Sequence, residues 1–317
     1  MVWELLAGAN YSDSNAAELI ISILALIRGE IVIVQTSLVG TILGDLLLVL
    51  GTSFIAGGYN RIEQNFNVPV AQTSSSLLAL AVGSLVVPTA FHVVSPSSKG
   101  IIELSRGAAV VLLLVYASYI LFQLKTHSHM YSEPSEKSPK RNWVGLVGRP
   151  LDNAGGSVPP AAIMGKPRPE EDPVEEIEEP ALTLLAAVIL LAGSTALMAI
   201  CSECLLDSID DLVTSAGISK VFVGLILLPI VGNATDHAIA VIVAVKDKMD
   251  LAIGVAVGSS LQTALLIIPF IVVLGWIIGE DRMTLYFDQF QVIILFVSVL
   301  LVNYLIQVPI PGPPLLA

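Results

Sequence analysis

Apolar residues fall into long runs along this chain, each set off from the next by a polar or glycine-containing break. The runs cover residues 31–56, 68–94, 106–124, 181–203, 219–245, 250–279 and 286–307, and a shorter one covers Asn15 to Ile27, closed by a turn at Arg28-Gly29-Glu30. The stretch Val221 to Val245 is long enough to cross a bilayer, which takes about 20 helical residues. The pattern predicts an all-α polytopic membrane protein. Two stretches break it: the first fourteen residues are polar for their position, and residues 125–180 are rich in Pro, Ser, Gly and charge. Such a composition buries too little apolar surface to order itself throughout.

Inside the run 219–245 lies a polar knot, Gly232-Asn233-Ala234-Thr235-Asp236-His237. Asn233 and Asp236 stand three apart, which puts both on one face of a helix near its middle. A carboxylate at membrane depth is costly and reads by default as an ion site or proton relay, the plainer alternative being an acid paired with a neighbouring helix. A second copy lies 218 positions upstream, where Asn15-Ala16-Ala17-Glu18 matches Asn233-Ala234-Thr235-Asp236. The register continues without a gap: Ile21 meets Ile239, Arg28 meets Lys246, Gly40 meets Gly258, Thr41 meets Ser259, and Leu47-Leu48 meet Leu265-Leu266. The chain carries an internal repeat. Five crossings separate the two copies, and an odd number makes them antiparallel. Inverted-topology repeats place a transporter's substrate between them near the midplane.

Composition agrees. Charged residues are 13% of 317 positions against 55% hydrophobic, with a mean hydropathy of +0.82, whereas a soluble domain carries about 25% charged. Much of the acidity behind the net charge of −12 lies in one tract of the hydrophilic loop, Glu170-Glu171-Asp172-Pro173-Val174-Glu175-Glu176-Ile177-Glu178-Glu179, and the charge points to no nucleic-acid partner. That tract is a solvated acidic stretch, a weak divalent-cation antenna or a short acidic helix that regulates entry, and it lacks EF-hand spacing. The domains expected are a first transmembrane repeat over 1–124, a partly disordered acidic loop over 125–180 and a second repeat over 181–317. With the loop inside, Arg61, seven loop residues, Lys246 and Lys248 are internal, while Arg28, Lys99, Arg106, Lys220 and Arg282 are external. That bias places the loop in the cytosol. Cys201 and Cys204 form a C-x-x-C without βαβ context, and read as buried thiols rather than a redox pair. No cleavable signal peptide is evident. Four scattered histidines, no nucleophile elbow and no phosphate loop argue against an enzyme, and no cofactor is expected.

The repeat gathers oxygen ligands. Glu18 and Asp236 supply charge, Asn15 and Asn233 amide oxygens, and Thr41, Ser259 and Gln262 come from partner helices. Pro229 and Gly232 precede Asn233, where a helix can loosen and free carbonyls. Calcium wants about six to eight oxygens, carboxylates and carbonyls among them. Two carboxylates can neutralise one divalent ion or each hold a proton when the ion leaves, which is the chemistry of an antiporter.

The first copy, from Asn15-Ala16-Ala17-Glu18 through Gly40-Thr41, and the second, from Gly232-Asn233-Ala234-Thr235-Asp236-His237 through Lys246-Asp247-Lys248-Met249-Asp250, resemble the signature repeats of the vacuolar calcium/proton exchangers. These are cation/proton antiporters of the calcium:cation antiporter superfamily. Ser202-Glu203 with Leu206-Asp207-Ser208-Ile209-Asp210 and the acidic loop are also similar to that family. The resemblance spans roughly 14–307. It implies an antiporter exchanging calcium or manganese for protons across the vacuolar membrane, by alternating access at a midplane carboxylate site. It makes Glu18 and Asp236 the ion- and proton-binding acids, with Asn15, Asn233, Ser259 and Gln262 completing the site and Glu203 and Asp207 lining the exit path. The expected partners are the ions and the lipid bilayer, with a homo-oligomer left open. The family has Gly at Ser14, Glu at Asp236 and a Ser-Asn pair at Gly44-Asp45. Its first helices are absent, its last is replaced by Val308-Pro309-Ile310-Pro311-Gly312-Pro313-Pro314, and about eight of its eleven helices are expected here. The alternative is therefore a truncated relative that does not transport and associates with full-length exchangers.

Overall fold

The computed structural model describes residues 15–59, 61, 63–94, 98–132, 138 and 184–307. The N-terminal fourteen residues, the acidic tract 170–179 and the proline-rich end lie outside them. Contacts group the chain into a main body, residues 1–140 and 198–317, and a small unit, 141–197, whose described part is the start of one helix. Among the described residues the regular structure is helical, and six helices are long and apolar enough to cross a membrane.

The first copy begins with α1 (Ala16–Ile27), turns through Arg28–Glu30, and continues as α2 (Ile31–Leu43). A π-helical stretch, Gly44–Val49, joins α2 to α3 (Leu50–Gly58). Then come α4 (Val68–Val94), α5 (Ser98–Leu121) with a π-helical end at Phe122–Thr126, and the short α6 (Ser128–Ser132). α7 (Leu184–Ala216) leads to the second copy. There α8 (Lys220–Phe222), a π-helical turn Val223–Leu227 and α9 (Leu228–Gly232) form one arm, and α10 (Ala234–Val245) the other. The arms meet at Asn233 with a bend of 52°. α11 (Met249–Gln262), a π-helical stretch Thr263–Ile267, α12 (Ile268–Ile278) and α13 (Gln289–Gln307) complete the fold.

The offset of 218 holds in three dimensions. α1 maps onto α10 end for end, α2 starts where α11 does, and the π-helical stretches 44–49 and 263–267 end at equivalent residues. The copies interlock: α1 touches α2 and α12, and α10 touches α11 and α3. They also run oppositely. From interior starts at Asn15 and Asn233, α1 ends beside Glu30, Lys220 and Asp210, whereas α10 ends beside Arg61. The spans 31–58 and 249–278 are each 56% buried against 11% for 99–126, so the two central helices form the core and α5 faces outward. Core contacts come from Val34, Leu38, Ile42, Val257, Leu261 and Leu265. α2 approaches the arm of α8 and α9 so closely that a Cβ on Gly40 would lie 2.2 Å from the Leu225 carbonyl oxygen.

At the α10–α11 turn Asp247 adopts φ +63°, a left-handed conformation that aspartate takes up more readily than most non-glycine residues. Arg61 Nε holds its carboxylate at 3.0 Å, and the Ser138 amide donates to it at 2.8 Å. The first loop residues are thereby tied to the turn that ends α10.

Three expectations are corrected. Asn233 sits at a helix break rather than mid-helix, because its first arm runs out at Gly232 behind Pro229. Cys201 and Cys204 are free but exposed, not buried, since this stretch of α7 turns them away from the core. α7 runs to Ala216 rather than stopping near residue 203, its acids Asp207 and Asp210 being paired with Arg28 and Lys220.

Candidate functional site

Helix starts build the site. Asn15 and Asn233 are the residues immediately before α1 and α10, and Glu18 and Asp236 lie in the first turns, where the positive end of the helix dipole faces a carboxylate. All four are buried, as are Thr41 and Ser259, while Gln262 is half-buried.

Asn15 is fully engaged across the repeat. Its Nδ2 donates to Gln262 Oε1 at 3.0 Å and to the Ser259 carbonyl at 3.3 Å, and its Oδ1 accepts from Ser259 Oγ at 2.9 Å. The end of α11 therefore holds the start of α1. Asn233 is less engaged: Nδ2 reaches Asp45 Oδ1 at 3.4 Å, and Oδ1 has no hydrogen-bond partner among the described residues. Glu18 leaves both carboxylate oxygens without one. Its carboxylate lies against the helix break, 3.6 Å from where a Cβ on Gly232 would stand. A cavity of about 10 Å³ opens beside Glu18, Thr41, Pro229 and Gly232, room for no more than about one water. The Asp236 charge is felt at Glu18.

The structure thus brings Asn15, Ser259 and Gln262 together, sets Glu18 beside Thr41, and buries Asn233 and Asp236 at the break. Glu203 and Asp207 lie elsewhere. Arg28 pairs with Asp207 at 2.5 Å and Glu203 at 3.9 Å, ten residues along α1 from Glu18, or about 15 Å. There a cavity of about 200 Å³ is lined by Arg28, Glu30, Asp207 and Asp210. Sequence reasoning missed one residue at the cluster, Asp45, which is 1% exposed and meets Asn233. The signal was a lone carboxylate inside an apolar run. Among the described residues no three His, Cys, Asp or Glu side chains converge tightly enough to hold a metal ion. The cluster is a set of buried oxygens shared by carboxylates, amides and hydroxyls.

Comparison with known proteins agrees with this architecture. The chain is 43% identical over 303 residues to the vacuolar calcium ion transporter of Schizosaccharomyces pombe, covering 94% of this chain and 64% of the relative. It is 38% identical to the Ca(2+)/H(+) antiporter of Synechocystis sp., covering 93% of this chain and 73% of that one. Against the fungal relatives from S. pombe and Cryptococcus neoformans it spans less than two thirds of their length, 64% and 58%. The solved structure of native YfkE superposes with a TM-score of 0.70 at 30% identity, over 94% of this chain and 75% of that one. The family model described as sodium/calcium exchanger protein matches residues 14–125 and 186–313, and the chain belongs to that family.

Proposed function

We propose that this chain exchanges calcium for protons across the vacuolar membrane, with Glu18 and Asp236 as the acids that take either the cation or protons. The observation that carries the reading is the pair itself: two carboxylates at equivalent places in opposed repeats, both buried where a helix starts. A buried carboxylate needs a partner, and Glu18 has no hydrogen bond to either oxygen among the described residues. A cation or a proton supplies what is missing. Asn15, Thr41, Asn233, Ser259 and Gln262 add neutral oxygens of the kind hard cations prefer; manganese, which suits the same oxygen donors, is a second cargo. Similar proteins carry the names vacuolar calcium ion transporter and Ca(2+)/H(+) antiporter, which supports both ions and the membrane. The halves 1–124 and 181–317 rock about this site, and Glu203 and Asp207 stand near its outer approach.

The test is uptake of radioactive calcium into vesicles holding only this chain, driven by an imposed proton gradient. Uptake should exceed that of empty vesicles and be abolished by Glu18→Gln or by Asp236→Asn. No uptake by correctly inserted protein overturns the reading, and either variant retaining more than half the activity makes its acid structural.

A further inference from the structure

Asp45 opens the π-helical stretch Gly44–Val49 with a side chain almost wholly withdrawn from solvent, 1% exposed. Its Oδ1 accepts from Asn233 at 3.4 Å, and its Oδ2 has no hydrogen-bond partner among the described residues. Glu18 lies against Gly232 and Asp236 in the first turn after Asn233. Three buried carboxylates therefore surround the break at Asn233, without converging as a ready-made metal triad among the described residues. The Ser259 hydroxyl is within reach of Asp45 as well as of Asn15, but a hydroxyl has one proton to donate.

Asp45 also controls an amide. In its ionised form, the form a bound cation favours, Asp45 can only accept, so it then takes the Asn233 N–H₂ and fixes which way that amide points. The Asn233 carbonyl oxygen is left uncommitted. Asn15, its counterpart in the other repeat, is held by Gln262 and Ser259, and its Oδ1 already accepts one hydrogen bond. The two repeats thus treat equivalent asparagines differently: Gly44 stands where Asn15 finds Gln262, and Asn233 meets the Asp45 carboxylate instead.

We propose that Asp45 is a specificity-determining residue of the cation site, a third carboxylate that favours divalent over monovalent ions and holds the Asn233 carbonyl oxygen available to the cargo. The inference rests on the calcium/proton reading above. Its physics is simple: the energy of an ion in a fixed field scales with the ion's charge. Removing one negative charge that weakens a monovalent ion by some factor weakens a divalent ion by that factor squared. A purely structural carboxylate would behave otherwise, stabilising the protein and leaving selectivity alone. A buried acid without full pairing instead destabilises the empty protein.

The experiment is equilibrium binding of radioactive calcium to the purified chain, with sodium as competitor, for the unmodified protein, Asp45→Asn, Asp45→Ser and Glu18→Gln. Both Asp45 variants should lose about tenfold in calcium affinity and about threefold in sodium affinity, and Asp45→Asn should melt higher without cation. Calcium affinity within twofold of the unmodified protein in both Asp45 variants, with Glu18→Gln abolishing binding, overturns this inference and leaves the exchange reading intact. Equal losses for the two ions overturn it too. No calcium binding by the unmodified chain overturns the exchange reading and this inference with it.

Discussion

Gly40→Ala tests the closest helix contact at the site. The added methyl would stand 2.2 Å from the Leu225 carbonyl oxygen and 2.6 Å from Pro229 Cγ. An ordinary carbon–oxygen contact is about 3.3 Å, so α2 and the α8–α9 arm must separate by about 1 Å. Overpacking of this kind costs about 1–3 kcal/mol, while exchanging glycine for alanine inside a helix returns about 0.5–1 kcal/mol. A net loss of about 1–2 kcal/mol should remain. The displacement also moves Thr41, the next residue, away from the arm that ends at Asn233. Thermal unfolding in detergent and proton-driven calcium uptake should therefore both fall. Gly51→Ala is the control, since nothing lies within 4 Å of its new methyl, and it should melt no lower than the parent. If Gly40→Ala proves as stable and as active as Gly51→Ala, the close approach of α2 to the arm is wrong.

Asp236→Glu extends a carboxylate by one methylene from the first turn of α10; calcium affinity should rise by about tenfold, worth roughly 1.4 kcal/mol, and a fall in both affinity and rate would make the shorter acid an adapted ligand. Outside the spans, hydrogen bonds from Arg282 at 2.7 and 2.9 Å hold the Glu280 carboxyl below its usual value of 4.5. Because the folded value is depressed, the pair contributes above the ordinary carboxylate range and is lost as pH falls through the depressed value. The melting difference between the parent and Glu280→Gln should be present at pH 7 and vanish in strong acid; a difference that persisted in acid would refute the pairing.

Much of this architecture is legible in the residues. The gapless match of Asn15 to Asn233 and Leu47 to Leu265 anticipates helices that begin and end at equivalent positions, because hydrophobic runs and glycine breaks are local signals. The site acids follow from the cost of burying charge. Asp45 was noticed only as a difference from the family, since the repeat register sets it against Thr263. Its role depends on which side chain of a distant helix it meets. The break at Asn233 had local causes in Pro229 and Gly232, but a 52° bend is decided by packing of both arms against separate helices. The outward turn of Cys201 and Cys204 was illegible for a related reason: lipid and protein interior favour the same apolar residues, so composition does not say which side of α7 faces in.

The paired π-helical stretches bear on the history of the gene. A π turn amounts to one extra residue accommodated inside an α-helix. Had that residue been gained by one copy alone, the offset between copies would change on crossing it. It does not: Gly40 to Gly258 before the stretch and Leu47 to Leu265 within it are both 218 apart, and the stretches end together at Val49 and Ile267. The helices resume in register beyond it, at Leu50 and Ile268, which is the pattern left when a half that already carries the widened turn is copied and turned over.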